Sequence, residues 1–291
     1  MRLKSILLAT MLLLCGLSFT ACDNSDPDEQ KPSPIETPSY TMDAAKYEIT
    51  DASSAYKAVE LTEAGRYIIV MKGASPSNTD SDDLYITGHF SKNNNVYVLQ
   101  ELGELTITKA GNSYSLLLNV NGRQVQLPAT KVTPIPSGQA TDYLCRTWRF
   151  IKMHIVVKYD GQTVFDGTSS SSAELSNALR KAIDRFEKSD KLKNTKEVQL
   201  GLAEEEFPKT ITFTHAGTYF IAYKDPKENI LNYWNWLNVE EKLIGFSEEK
   251  VDLSSKSAIT ADFTNNQLIL SETEKERNET IITTVTLNQD K

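Results

Sequence analysis

Seven short runs in which apolar and polar residues alternate follow one another between residues 45 and 132, at 55–61, 66–72, 84–90, 96–100, 104–108, 113–119 and 124–127. A period of two sends successive side chains to opposite faces of an extended strand, so each run is a strand with one buried face. Turn clusters separate the runs. Ser91-Lys92-Asn93-Asn94-Asn95 is one, and Asn121-Gly122, flanked by Ser-Leu-Leu-Leu and Gln-Val-Gln-Leu, has the signature of a two-residue hairpin. Strands spaced roughly 12 residues apart with no helical pattern between them close as a sandwich or a barrel. The composition agrees: 40% hydrophobic and 24% charged residues exclude both a disordered chain and a polytopic membrane protein.

Thr133-Pro134-Ile135-Pro136-Ser137-Gly138 ends this pattern and reads as a linker, giving an N-terminal all-β domain over 45–136 and a second domain over 140–291. The second domain opens with a long strand at 147–159, an Asp160-Gly161 turn and a short strand at 163–165. Residues 172–188 are the one clear helix. Leu175, Leu179, Ile183 and Phe186 recur every three to four residues, and Arg180, Lys181, Asp184 and Glu187 occupy the opposite face. Further strand runs follow at 210–214, 218–224, 231–239, 242–246, 258–263, 267–271 and 280–287. The fold class is therefore mainly β, an N-terminal sandwich or barrel followed by an eight-stranded meander with one inserted helix.

The N-terminus says where the chain is destined. Arg2 and Lys4 precede a nearly unbroken apolar run over 6–19, too short for the roughly 20 residues that a bilayer core requires. It reads as a secretory signal over 1–21. Phe19-Thr20-Ala21-Cys22 resembles a bacterial lipobox, with Phe19 where that family usually has Leu. The resemblance implies that Cys22 becomes the first residue, carrying a thioether-linked diacylglycerol and an N-acyl chain such as palmitate. Cys145 is then the one thiol left, so the folded part has no internal disulfide. Loss of the signal lowers the basic residues from 31 to 29 against 39 acidic ones, a net charge of −10. Nucleic acid is excluded as the main partner, and the acyl chains rather than a basic patch must hold the membrane.

Residues 22–44 form an acidic tether with Pro27, Pro32, Pro34 and Pro38 and nothing to bury. Extended at about 3.1 Å per residue, residues 23–40 reach up to roughly 50 Å. Asp23, Asp26, Asp28 and Glu29 look like the acidic export signal of surface lipoproteins in some anaerobic Gram-negative bacteria, and equally like any solvated linker. The implied location is the outer membrane, lipid-anchored, with the cell surface as one candidate face.

Two further resemblances concern the body. Leu61-Thr62-Glu63-Ala64-Gly65-Arg66-Tyr67-Ile68-Ile69 and Phe213-Thr214-His215-Ala216-Gly217-Thr218-Tyr219-Phe220-Ile221 share an apolar-Thr-x-Ala-Gly-x-Tyr core, through duplication or through a favoured hairpin. Leu144-Cys145-Arg146-Thr147-Trp148-Arg149-Phe150, the second of those hairpins and Trp234-Asn235-Trp236 are similar to the lipocalin-like domains of lipobox-anchored bacterial proteins, with Arg146 where that family has Gly. That resemblance implies an up-and-down barrel over about 142–291 whose cavity could take an apolar ligand.

Chemistry has little to stand on. His89, His154 and His215 fall in separate strands or turns without metal-ligand spacing, and His215 reads as an exposed turn residue. Neither a Gly-x-Ser-x-Gly elbow nor a phosphate loop occurs, and the runs Glu204-Glu205-Glu206 and Glu240-Glu241 read as solvated charge. No enzyme, cofactor or metal is therefore expected. The aromatic residues are the better lead. Trp234 and Trp236 share one face of their strand, as do Tyr219 and Tyr223 of its neighbour; such a stripe fills a core more often than it binds, and otherwise takes an apolar small molecule or stacks on a glycan. The expected function is a lipid-anchored module binding an apolar small molecule, the alternative a surface interaction or glycan-binding protein without a cavity ligand.

Overall fold

The computed structural model describes residues 43–73, 83–187, 206–248, 258–264 and 266–290. The signal, Cys22 and nearly all of the tether lie outside them. Among the described residues, no helix is long and apolar enough to cross a membrane.

The first body is a closed barrel of eight antiparallel strands: β1 (Ala45–Ile49), β2 (Tyr56–Leu61), β3 (Arg66–Met71), β4 (Leu84–Asn93), β5 (Val96–Leu99), β6 (Gly103–Ala110), β7 (Ser113–Val120) and β8 (Arg123–Lys131). Each strand pairs with the next, and β1 closes the ring on β8 with Tyr47 opposite Lys131 and Ile49 opposite Ala129. Alternation does what the pattern predicts. On β7, Leu116 and Leu118 are buried inside while Leu117 faces water. Asn121 and Gly122 both take positive φ, 51° and 78°, the backbone that a two-residue hairpin needs to match strand twist. The sequence pattern misses β1, a five-residue strand with two charged side chains.

The second body begins with α1 (Gln139–Leu144) and β9 (Thr147–Tyr159), then β10 (Gln162–Ser169) and α2 (Ser172–Glu187). It continues with β11 (Thr210–Phe213), β12 (Thr218–Ala222), a 3₁₀ turn at Pro226–Glu228, β13 (Ile230–Asn238), β14 (Leu243–Ser247), β15 (Ala258–Thr264), β16 (Gln267–Glu276) and β17 (Glu279–Gln289). One edge of β9 pairs along β17 and so closes an eight-stranded barrel of β9 and β11–β17. Its other edge is shared: Thr147–Arg149 pair with β11, and Met153–Tyr159 pair with β10. β10 is therefore a flap added to the barrel, and α2 packs back from it.

The Ser171 hydroxyl caps α2 by accepting the Glu174 N–H at 3.4 Å, and Leu175 and Leu179, each 2% exposed, belong to the barrel core with Phe165 and Val157. Phe186 meets Tyr159 edge-on at 5.8 Å. The helix is thus part of the core it covers. Leu179→Ala is expected to lower the stability of the second barrel by roughly 2–5 kcal/mol in urea denaturation, as large-to-small core changes do. A loss well under about 1 kcal/mol would show a helix resting loosely on the barrel.

A third, smaller apolar cluster joins the two barrels. Ala58, Ile68 and Val70 of the first pack with Phe220 of the second, flanked by Tyr85, Ala222 and Leu231. The Tyr85 and Phe220 rings meet edge to face at 5.7 Å. The connecting segment is strapped down as well: Val132 N–H donates to Lys46 O at 2.9 Å, and Ile135 N–H to His215 O at 2.6 Å.

Candidate functional site

The two Thr-x-Ala-Gly turns lie at this joint and meet. Each is built in the same way. Thr62 and Thr214 donate their N–H to the carbonyl four residues on, Arg66 and Thr218, at 2.8 and 3.0 Å, and Gly65 and Gly217 donate back to the threonine carbonyl at 3.1 Å. The glycines adopt φ of 69° and 76°, a region open to glycine at little cost.

Glu63 of the first turn reaches across to His215 of the second. Its Oε1 accepts the His215 backbone N–H at 3.0 Å and lies 2.8 Å from His215 Nδ1. His215 Nε2 in turn lies 2.9 Å from Asp142 Oδ1 on α1. Both ring nitrogens thus face carboxylates, which the imidazolium satisfies by donating twice. Burial disfavours the charged ring, but the hydrogen bonds and charges of Glu63 and Asp142 outweigh it and raise the pKa above the usual histidine value. The expectation of an exposed His215 is corrected: its side chain is 14% exposed.

Beside this pair, Glu60 is 1% exposed and takes the Thr218 hydroxyl, 2.7 Å from Oε1 and 2.9 Å from Oε2. Thr218 Oγ1 is itself 2.7 Å from Thr214 Oγ1. Lys46 sits opposite Glu60 in the β1–β2 register, and its ammonium lies 4.8 Å from the centre of the Tyr233 ring of the second barrel. Burial pushes the Glu60 carboxyl up, and Lys46 with the two threonine hydroxyls offsets only part of that. Glu63 Oε2 is buried with no hydrogen-bond partner among the described residues. Lys46, Glu60, Glu63, Lys131, Pro134 and His215 line a cleft of about 50 Å³, far below the roughly 300–1,000 Å³ of sites for drug-sized ligands.

The four aromatic candidates are divided. Trp234 and Tyr219 are fully buried. Trp234 donates its indole N–H to Thr214 O at 3.1 Å and meets Phe213 edge-on at 5.9 Å. The Tyr219 hydroxyl accepts from Asn232 Nδ2 at 3.2 Å, and burial drives its pKa far up. Trp236 is half-buried, perpendicular to Trp234 at 5.7 Å, with its N–H on Thr141 Oγ1 at 3.0 Å. Tyr223 is half-buried at the edge of the same core. Cys145 is buried beside them with its thiol pushed well up by desolvation, which leaves it inert. Among the described residues, no group of three His, Cys, Asp or Glu is placed to hold a metal ion.

Sequence reasoning missed Lys46, Glu60, Glu63, Asp142 and Thr218. Two of the five carried a signal: Glu60 stands inside an apolar run, and Glu63 holds the same place in the repeated motif as His215. No family model matches the chain, and neither a curated protein nor a solved structure does.

The junction makes stability depend on pH in one direction. A histidine with a raised folded pKa stabilises fully below its unfolded value of 6.5, and that contribution is lost as pH rises through the folded pKa. A carboxyl with a raised folded pKa, such as Glu60, likewise costs stability as pH climbs past 4.5. Denaturation midpoints should therefore fall between about pH 6 and about pH 8.5, and His215→Gln should flatten that slope. An unchanged slope in the variant would remove His215 from the account.

Proposed function

We propose that this is a lipid-anchored protein of the outer membrane that works as a surface interaction module, binding a glycan or a partner protein, with no chemistry of its own. The acylated Cys22 holds the membrane, and the acidic, proline-rich tether carries the paired barrels away from it by up to roughly 50 Å. One observation carries the reading. The interior of each barrel is packed with the chain's own side chains: Tyr47, Tyr67, Phe90 and Leu116 in the first, and Trp148, Phe213, Tyr219, Trp234 and Phe246 in the second. Tyr219 and Phe246 meet edge-on at 4.9 Å, and Phe213 stacks on Tyr219 at 5.9 Å. What the barrels offer a partner is then their outer face, held rigid by the junction.

The apolar-ligand reading is second and rests on Trp236 and Tyr223, the two aromatic candidates that are not fully buried.

Two measurements test the proposal. Cys22→Ser should move the exported protein from the membrane fraction to the soluble one, and retention through a high-salt wash would mean that acylation is not the anchor. The soluble variant should leave an apolar fluorescent probe unbound, whereas saturable uptake at one probe per chain would restore the ligand carrier and displace the interaction module.

A further inference from the structure

We propose that the two barrels are copies of one unit, and that the Thr-x-Ala-Gly-x-Tyr hairpin is a mating surface that recognises a second copy of itself, the second residue of the motif deciding which copies pair. The equivalence runs well beyond the motif. Phe90 and Trp234 donate their N–H to Gly65 and Gly217 at the same 2.9 Å, and each then stands opposite a buried residue of the next strand, Leu99 and Phe246. Behind the turn, Tyr47 faces Val59 and Trp148 faces Ile211, in each case two residues before the buried Leu61 or Phe213. Tyr67 and Tyr219 are buried at the same step, as are Ile69 and Ile221. Both barrels close their first strand on their last, and β10 with α2 is an insertion between the first two strands of the second copy.

The way the copies touch supplies the interaction. Glu63 and His215 occupy the same motif position and bond to each other. Ile68 and Phe220 are equivalent and share the joining cluster, as do Val70 and Ala222. Contact between residue i of one copy and residue i of the other is the mark of a two-fold axis, here inside one chain. Two identical residues on such an axis would set carboxylate against carboxylate or imidazolium against imidazolium. The chain has an acid in one copy and a base in the other. Glu60 extends the difference, since its equivalent on β11 is Thr212, which bonds to Thr147 at 2.9 Å within its own barrel. The charges at the axis therefore favour the first barrel meeting the second over either meeting its like in another molecule.

An exchange of the two residues tests this in the full soluble chain. Asp142 faces His215, so the series is made in an Asp142→Asn background, where a carboxylate at position 215 meets no second carboxylate there. Glu63→His and His215→Glu should each speed protease cleavage of the segment at 132–138 by roughly tenfold, and the exchange Glu63→His/His215→Glu should bring the rate back to within about threefold of the background. Recovery by the exchange, including recovery of folding where a single variant fails to fold, supports equivalent positions on a two-fold. An exchange no better than the worse single variant overturns it.

Discussion

Three ionisable side chains, Lys46, Glu60 and Glu63, are buried to 3% exposure or less where the barrels meet, and much of the molecule's organisation follows from that. Each buried charge costs several kcal/mol unless it is paired and hydrogen-bonded. The polar groups here offset part of that cost, with Thr218 on Glu60, His215 on Glu63, Asp142 on His215 and Lys46 beside Glu60. Glu63 Oε2 is left without a hydrogen-bond partner among the described residues. The attraction comes from the apolar cluster around Ile68 and Phe220, while the charges fix the register of the joint. A sliding or tilted junction would keep much of the apolar burial and strand the charges, so the barrels are held in one relative orientation.

The elements legible in the sequence are those whose cause is local. Alternation along β7, the Asn121-Gly122 turn and the stripe on α2 each follow from residues within a few positions of one another. β1 was not legible, because Ala45–Ile49 is a strand only by virtue of β2 on one edge and β8, some 80 residues away, on the other. β16 and β17 run past the expected limits for a related reason: Glu272 to Glu276 are held by backbone pairing to Glu279–Thr283, which needs no apolar side chain. The site was the least legible part. Glu63 and His215 stand 152 residues apart in turns that look solvated, and what buries them is the other turn.

The aromatic stripe illustrates the same division between local pattern and tertiary outcome. Period-two reasoning grouped Trp234 with Trp236 and Tyr219 with Tyr223, and exposure then separates them along each strand, with Trp234 and Tyr219 inside and Trp236 and Tyr223 toward the edge. Trp234 also has a structural task at the junction, since its indole N–H ties Thr214 O of the mating turn to the barrel core. Core and joint are thus one connected structure in the second barrel. Built this way, the two barrels present their outer strands and loops on one frame.

A buried junction of this kind makes the two barrels one cooperative body. Differential scanning calorimetry of the soluble chain tests it most directly, by comparing the calorimetric unfolding enthalpy with the van't Hoff enthalpy of the same transition. A single transition with a ratio of about 1 is predicted, since neither barrel can unfold without exposing the other's share of the junction. Two resolved transitions, or one whose ratio approaches about 2, would contradict it by showing that each barrel melts independently of its neighbour.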